Sequence, residues 1–322
     1  MNLIIRVTGR CNFNCTFCSA TSLNIAHPKN GVPEQIKEVI KSINPTSIMI
    51  SGGEPLLVGP EYYHELLELT NCHISITTNL KEFYYDPDKW VKLFRNPRIG
   101  ITTSFNYGDT RRWDKDTVYT EEKFIEIFNL FKEKVGNDLP LPFIAVIDES
   151  NEDTVLDTVR LAKRLNTFCR INNATQQGSC KTTYPRYKMF QKYIEIVDAG
   201  LGEYEVYCKN TRFSACPMNV QFLCKSSIRT CYVDKDNVLH YYDCCESEVE
   251  HLIDYKDDIN KEVKPVRPCV AELVSPKCVL CPLYSICNGC SSQKDHYPPE
   301  HCAEMQKLKS RFIELGWVRD LL

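Results

Sequence analysis

The 322-residue sequence contains no run approaching the roughly 18–20 apolar residues that a membrane-spanning helix needs. That absence excludes an α-helical membrane protein. The N-terminus offers only Leu3-Ile4-Ile5 before Arg6, far short of the core of a secretion signal. A dominant charge is missing too. Against 42 Asp and Glu stand 39 Lys and Arg, a net charge of −3, so no global field draws the chain to nucleic acid or anionic lipid. Repeats and low-complexity tracts are absent.

What the sequence does have is 18 cysteines. A disulfide framework requires a secreted chain. Without a secretion signal, the expectation is a cytoplasmic protein whose closely spaced cysteines bind metal or iron–sulfur clusters. Cys72 and Cys169, in apolar strand-like segments, read as core residues.

The first half alternates short apolar runs with helical patterns. Strands are expected over 3–8, 47–50, 73–78, 99–105, 141–147 and 168–172. Helices are expected over 33–43, 60–69, 88–94, 121–135 and 154–165. Six βα units imply a parallel sheet, too few for a closed eight-stranded barrel, with the site at the carboxyl ends of the strands. The fold class is therefore α/β, a partial (β/α)6 TIM-like barrel over residues 1–180. A bridging helix falls within 181–207. Residues 208–322 form a cysteine-rich domain with a closing helix over 303–315. Its 12 cysteines between Cys208 and Cys302, with weak apolar periodicity, suggest a segment tied together by metal centres.

Two motifs carry chemistry. Cys11, Cys15 and Cys18 form C-x3-C-x2-C on the loop after the first strand. Three thiolates can hold three irons of a 4Fe–4S cluster and leave the fourth iron open. Zinc is the alternative, although no fourth cysteine or histidine lies close by. One βα unit later, Gly52-Gly53-Glu54-Pro55 ends the second strand, its two glycines allowing close backbone approach. Together these motifs resemble the radical S-adenosylmethionine (SAM) superfamily. The resemblance implies that the cluster binds SAM and the Gly52–Pro55 turn contacts its amino group. Reductive cleavage then yields a 5′-deoxyadenosyl radical that abstracts a substrate hydrogen. It further implies SAM contacts from Thr78 and Asn79 after the third strand, Ser104 and Asn106 after the fourth, and Arg170 and Gln176 around the sixth. Relatives often carry an acidic residue where Asn106 stands.

Downstream, Cys278, Cys281, Cys287 and Cys290 form C-x2-C-x5-C-x2-C, followed by Cys302. Upstream, Cys231 and the pair Cys244-Cys245 flank a hairpin turn at Asp234–Asn237, which is expected to bring them together. This field resembles the SPASM extension of radical SAM peptide maturases and sulfatase-maturing enzymes. By that resemblance, Cys278, Cys281, Cys287 and Cys302 hold one auxiliary 4Fe–4S cluster. Cys231, Cys244 or Cys245, Cys290 and Cys224 hold another. A zinc-ribbon-like site is the alternative. Asp243 and Glu246 are candidate acid/base groups.

The SPASM resemblance favours a peptide or protein substrate, with a flavodoxin or ferredoxin as reductant. Against it, no peptide-binding segment is seen before the barrel. A nucleotide, nucleobase or small metabolite is the second reading. Trp113, Tyr184 and Tyr187, with Arg111, Arg112 and Arg186, are candidates to stack and clamp a base on the surface. A non-catalytic iron–sulfur protein is the third, against which the Gly-Gly-Glu-Pro turn argues.

Overall fold

The computed structural model describes residues 2–210, 228–243, 253–254, 281–283, 286 and 299–317. The chain folds as two compact units. One comprises Met1–Ala145, Gln176–Lys181 and Ser227–Glu262; the other comprises Val146–Thr175, Thr182–Ser226 and Val263–Leu322.

The first unit is α/β. Its strands are β1 (Asn2–Arg6), β2 (Ser47–Ser51), β3 (His73–Thr77) and β4 (Ile99–Ser104), joined in parallel. Phe143 and Ile144 of β5 (Phe143–Ile147) pair in parallel with Thr103 and Ser104. The pairing registers align two apolar rows across the sheet, Leu3-Ile48-Ile74-Ile99 and Ile5-Ile50-Ile76-Ile101, all nearly or fully buried. The helices between strands present matching apolar stripes. α1 (Glu34–Ile43) buries Ile36, Val39 and Ile40, and α2 (Pro60–Leu69) buries Tyr62, Tyr63, Leu66 and Leu67. The short α3 (Lys81–Tyr85) is followed by α4 (Asp88–Phe94), which buries Trp90, Leu93 and Phe94. α5 (Glu121–Lys134) starts at Thr120, whose hydroxyl accepts the Lys123 N–H at 3.4 Å. The opposite face of the sheet carries Ile4, Met49, Ser75 and Gly100 in one row. It is incompletely covered, with Met49 43% exposed.

The unit continues beyond β1. β7 (Ile228–Val233) pairs with β1 in parallel, placing Cys231 beside Ile5. β8 (Leu239–Asp243) returns antiparallel, and the two-residue β9 (Ile253–Asp254) follows it. The turn expected at Asp234–Asn237 is present. Asn237 N–H bonds the Asp234 carbonyl, and Asn237 takes the left-handed φ of 64°.

The second unit contains α6 (Val155–Arg164), β6 (Cys169–Asn173), α7 (Arg186–Asp198) and α8 (Val206–Asn210). The expected closing helix is two short helices, α9 (His301–Lys307) and α10 (Lys309–Glu314). Phe312 of α10 packs edge-on against Phe190 of α7, with centroids 5.6 Å apart. Cys169 is fully buried, as a core residue should be. Cys72 is not core: it is half-buried in the turn before β3, where its N–H bonds the Thr70 hydroxyl. No helix among the described residues is long and apolar enough to cross a membrane.

Candidate functional site

The loop after β1 is sewn to the turn after β2 by backbone. Val7 N–H bonds Ser51 O at 3.0 Å, Gly53 N–H bonds Thr8 O at 2.7 Å, and Glu54 N–H bonds Arg10 O at 2.7 Å. This closeness explains both glycines. A Cβ on Gly53 would lie 2.0 Å from Arg10 O, and one on Gly52 would lie 2.6 Å from Thr8 O. Gly52 also holds a φ of 125°, which side chains disfavour. The glycines therefore admit the cysteine loop itself. Their own carbonyl oxygens accept no hydrogen bond from the described residues.

Glu54 does not project into the loop space. It is 1% exposed and ties the ends of β2 and β3 together. Its Oε1 accepts the Leu56 N–H at 3.0 Å and the Thr78 hydroxyl at 2.5 Å; its Oε2 accepts the Asn79 N–H at 2.8 Å. Burial pushes its carboxyl up to about 7, against the pull of those three donors. Asn79 in turn braces the cysteine loop. Its Nδ2 donates to Asn12 Oδ1 at 2.8 Å and reaches Cys11 Sγ at 4.0 Å. Lys81 donates to the carbonyls of Asn12 and Trp113.

The excursion after β4 pairs with the cysteine loop from the other side. Asn14 N–H bonds Arg112 O at 3.1 Å, and Thr16 N–H bonds Thr110 O at 2.9 Å. Ser104 and Asn106 are both buried. Asn106 Oδ1 accepts from Arg111 Nε at 3.0 Å. Arg111 is not a surface residue, as the sequence suggested, but is 6% exposed, its guanidinium 4.9 Å from the Phe17 ring centroid. Its terminal nitrogens bond nothing among the described residues. Burial lowers its pKa, while Cys15, Tyr119, Cys18 and Cys11 oppose that shift. Arg111 is the functional candidate that sequence reasoning misplaced. Beside Arg112 it reads as a basic surface pair, and only the fold turns it inward.

Cys11 is exposed, and Cys15 and Cys18 are half-buried free thiols. The Cys18 carbonyl accepts the Ser179 N–H at 2.9 Å, and a Cβ on Gly178 would lie 2.5 Å from that carbonyl. The segment opened by the exposed Gln176 thus lies on the cysteine loop. Among the described residues no three His, Cys, Asp or Glu side chains converge as a single metal ion requires. A cluster makes no such demand, since each thiolate takes its own iron. Three spaced thiols, two unengaged glycine carbonyls and a buried guanidinium fit a 4Fe–4S cluster with SAM at its open corner.

The remaining candidates are placed as follows. Arg170, in the second unit, donates to the Tyr207 hydroxyl through Nε at 3.1 Å. Tyr184 is 1% exposed, donating to Glu152 at 2.6 Å, and so is no surface stacking residue. Tyr187 is half-buried, its ring 6.2 Å from that of His301. Cys231 is fully buried and faces Tyr241 across the hairpin. Burial drives its thiol pKa well up. Asp243 ends β8, with Arg229 as its ladder partner. Gln306 of α9, one turn beyond Cys302, donates to Cys281 Sγ at 3.5 Å, bringing those two cysteines to one neighbourhood. Cys224, Cys244, Cys245, Glu246, Cys278, Cys287 and Cys290 lie outside the described residues.

Known proteins give the arrangement its context. Residues 5–162 match the family model of the Radical SAM superfamily. A probable GTP 3′,8-cyclase of Pyrobaculum aerophilum is 26% identical over 167 residues, covering 49% of this chain and 53% of that protein. A second, from Thermoplasma volcanium, is 24% identical over 220 residues, covering 63% and 64%. The chain thus spans between about half and two thirds of the length of these curated relatives. Among solved structures, native anSMEcpe with bound AdoMet and Cp18Cys peptide is 17% identical with a TM-score of 0.68, covering 98% of this chain and 97% of that one. Streptococcus suis SuiB bound to precursor peptide SuiA is 14% identical with a TM-score of 0.59, covering 88% and 70%. These structures share the fold. Over residues 5–162, the half that carries the cysteine loop and the Gly-Gly-Glu-Pro turn, the chain is a member of the Radical SAM superfamily.

Proposed function

We propose that this protein is a radical SAM enzyme that modifies a residue of a peptide or protein. The observation that carries the reading is the cysteine loop: three free thiols on a backbone stitched to the Gly52-Gly53 turn, with the Arg111 guanidinium alongside. Cys11, Cys15 and Cys18 would ligate the cluster. The carbonyls of Gly52 and Gly53 offer acceptors to the amino group of SAM. Arg111 supplies a fixed positive charge beside the thiolates, held in place by Asn106. When bound, the cluster and SAM supply a carbon radical able to take a hydrogen atom from substrate. Glu54 and Asn79 keep the two loops in register, and Phe13 of the cysteine loop packs against Trp113 with ring centroids 5.4 Å apart. Ser104 and Gln176 are the further cofactor contacts proposed in the same unit, while the Thr78 hydroxyl is spent on Glu54.

The peptide assignment draws on the likeness to anSMEcpe along nearly the whole chain, that protein having been solved with a peptide. Two auxiliary clusters belong to the same reading, one on Cys278, Cys281, Cys287 and Cys302, the other on Cys224, Cys231, Cys244 or Cys245, and Cys290. Asp243 or Glu246 would serve as the base. A cytoplasmic setting, with a flavodoxin or ferredoxin as electron donor, completes it. The curated relatives favour a nucleotide as the second reading. The test uses a deuterated cell extract split into peptide, nucleic-acid and metabolite fractions, each mixed anaerobically with reduced enzyme and unlabelled SAM. Deuterium in 5′-deoxyadenosine from the peptide fraction is expected. Label from the nucleic-acid or metabolite fraction alone would replace the substrate class, and no cleavage of SAM in cluster-loaded protein would return the chain to the non-catalytic reading.

A further inference from the structure

Away from the cysteine loop, the first unit holds a cleft of about 390 Å3. Its walls are the segment after the loop, the start of α1 and the turn of the β7–β8 hairpin. Two walls are tied by backbone: Ala26 N–H bonds Val233 O at 2.9 Å, and Lys235 N–H bonds Asn24 O at 3.2 Å. The floor is apolar, from Ile5, Val7, Ile36 and Val233.

The charged groups of the lining are mostly basic, and the nearby Glu65 carboxylate, behind Gly31, is held by Lys37 and the Val32 N–H. His27, Lys29 and Lys235 line the cleft. The two ammonium groups meet no carboxylate among the described residues, and His27 spends only Nδ1, 3.1 Å from the Thr8 hydroxyl. The one acid in the lining, Asp234, has both oxygens engaged. Oδ1 accepts the Asp236 and Val238 N–H groups, and Oδ2 lies 2.7 Å from His240 Nε2. The first turn of α1 adds the N–H groups of Glu34 and Gln35, which find no acceptor among the described residues.

A second, independent feature points to an occupant. Tyr62 lines the cleft and is 2% exposed, yet its hydroxyl makes no hydrogen bond with any described residue. The ring is buried, and the hydroxyl is left to whatever fills the cleft.

We infer that this cleft binds a phosphorylated small molecule, a phosphate ester with an apolar or planar body. The dianionic head would sit among His27 Nε2, Lys29, Lys235 and the start of α1, where several donors meet several terminal oxygens. The Tyr62 hydroxyl donates to the ester from the floor, and the organic part covers Ile5, Val7 and Ile36. The volume is in the range of small-molecule sites and far exceeds what bare phosphate fills.

Calorimetric titration of the cluster-loaded full chain with inorganic phosphate, glycerol 3-phosphate and adenosine 5′-monophosphate tests this. At least one ester should bind at least tenfold more tightly than inorganic phosphate. The double variant Lys29→Ala/Lys235→Ala should weaken ester binding at least tenfold while keeping its affinity for SAM. Tyr62→Phe, which keeps the ring in the core, should weaken it several-fold. No heat from any of the three ligands at millimolar concentration would overturn the inference, as would equal affinity for phosphate and both esters. Unchanged ester affinity in the double variant would do the same, since the binding would then lie elsewhere, including at the cysteine loop.

Discussion

Glu54 keeps a carboxylate where water cannot reach it, and three donors make that tolerable. Its pKa rises from 4.5 to about 7 because burial outweighs the hydrogen bonds. A group with a raised folded-state pKa contributes its stability in full below the unfolded value. That contribution is lost as pH climbs through the folded one. The wild type should therefore lose stability between pH 4.5 and about 7. The loss from this group is on the order of 3 kcal/mol. Glu54→Gln mimics the protonated acid and should not show it. Urea unfolding of the cluster-free chain at pH 5 and pH 8 checks this: the variant should gain on the wild type as pH rises. Parallel pH curves would mean that Glu54 is not the titrating group. The sequence marks Glu54 by its place after two glycines, and that much was legible. Its task of joining β2 to β3 was not, because Thr78 and Asn79 become its partners only once the strands are in register. Arg111 shows the same limit, since burial at 6% exposure depends on how the excursion after β4 folds back.

Elements with a strong local pattern were legible almost to the residue. α2 and α4 match their expected bounds because apolar spacing and a proline or aspartate at the start fix them. α3 was missed. It has five residues and buries only Phe83, and Leu80 before it is left-handed at φ 61°, so no helical period can register. The hairpin was legible as a turn but not as a register. Its ladder sets Cys231 against Tyr241, and Ile5 beside Cys231 places the thiol in an apolar row. Asp234 holds that register. It accepts two turn N–H groups and pairs with His240, whose ring stacks on Tyr232 at 4.7 Å. Although burial opposes ionisation, these donors keep its pKa below the usual aspartate range. The stabilisation is therefore present above that range and lost as pH falls through the folded value. Asp234→Ala should cost about 1–3 kcal/mol near neutral pH. It should also speed hydrogen exchange in Ile228–Val233, and unchanged exchange there would assign the register to the strands alone.

At the scale of the molecule, the first unit is assembled from three separated stretches of chain, so its boundary cannot be read from where sequence texture changes. The change near residue 180 is real. Yet β7 returns from beyond residue 227 to complete β1's second edge, and Cys231, Tyr232 and Val233 are all buried there. The same hairpin is tied to the segment after the cysteine loop by the Ala26 and Lys235 backbone bonds. Removing it would strip β1 of a whole ladder and open the apolar face around Ile5, leaving an unpaired hydrophobic edge of the kind that drives aggregation. Pairing across more than 220 residues of sequence leaves no local trace, because partner choice is decided by sheet closure and not by side-chain period. A fragment of residues 1–181 keeps every βα unit up to β6 and the Gly178 turn against Cys18, but loses β7 and β8. It should express as aggregate or lack a cooperative thermal transition, whereas the full chain should melt cooperatively. A soluble fragment melting at the full-chain temperature would show that β1 tolerates an open edge and that the hairpin's contribution to this unit is dispensable.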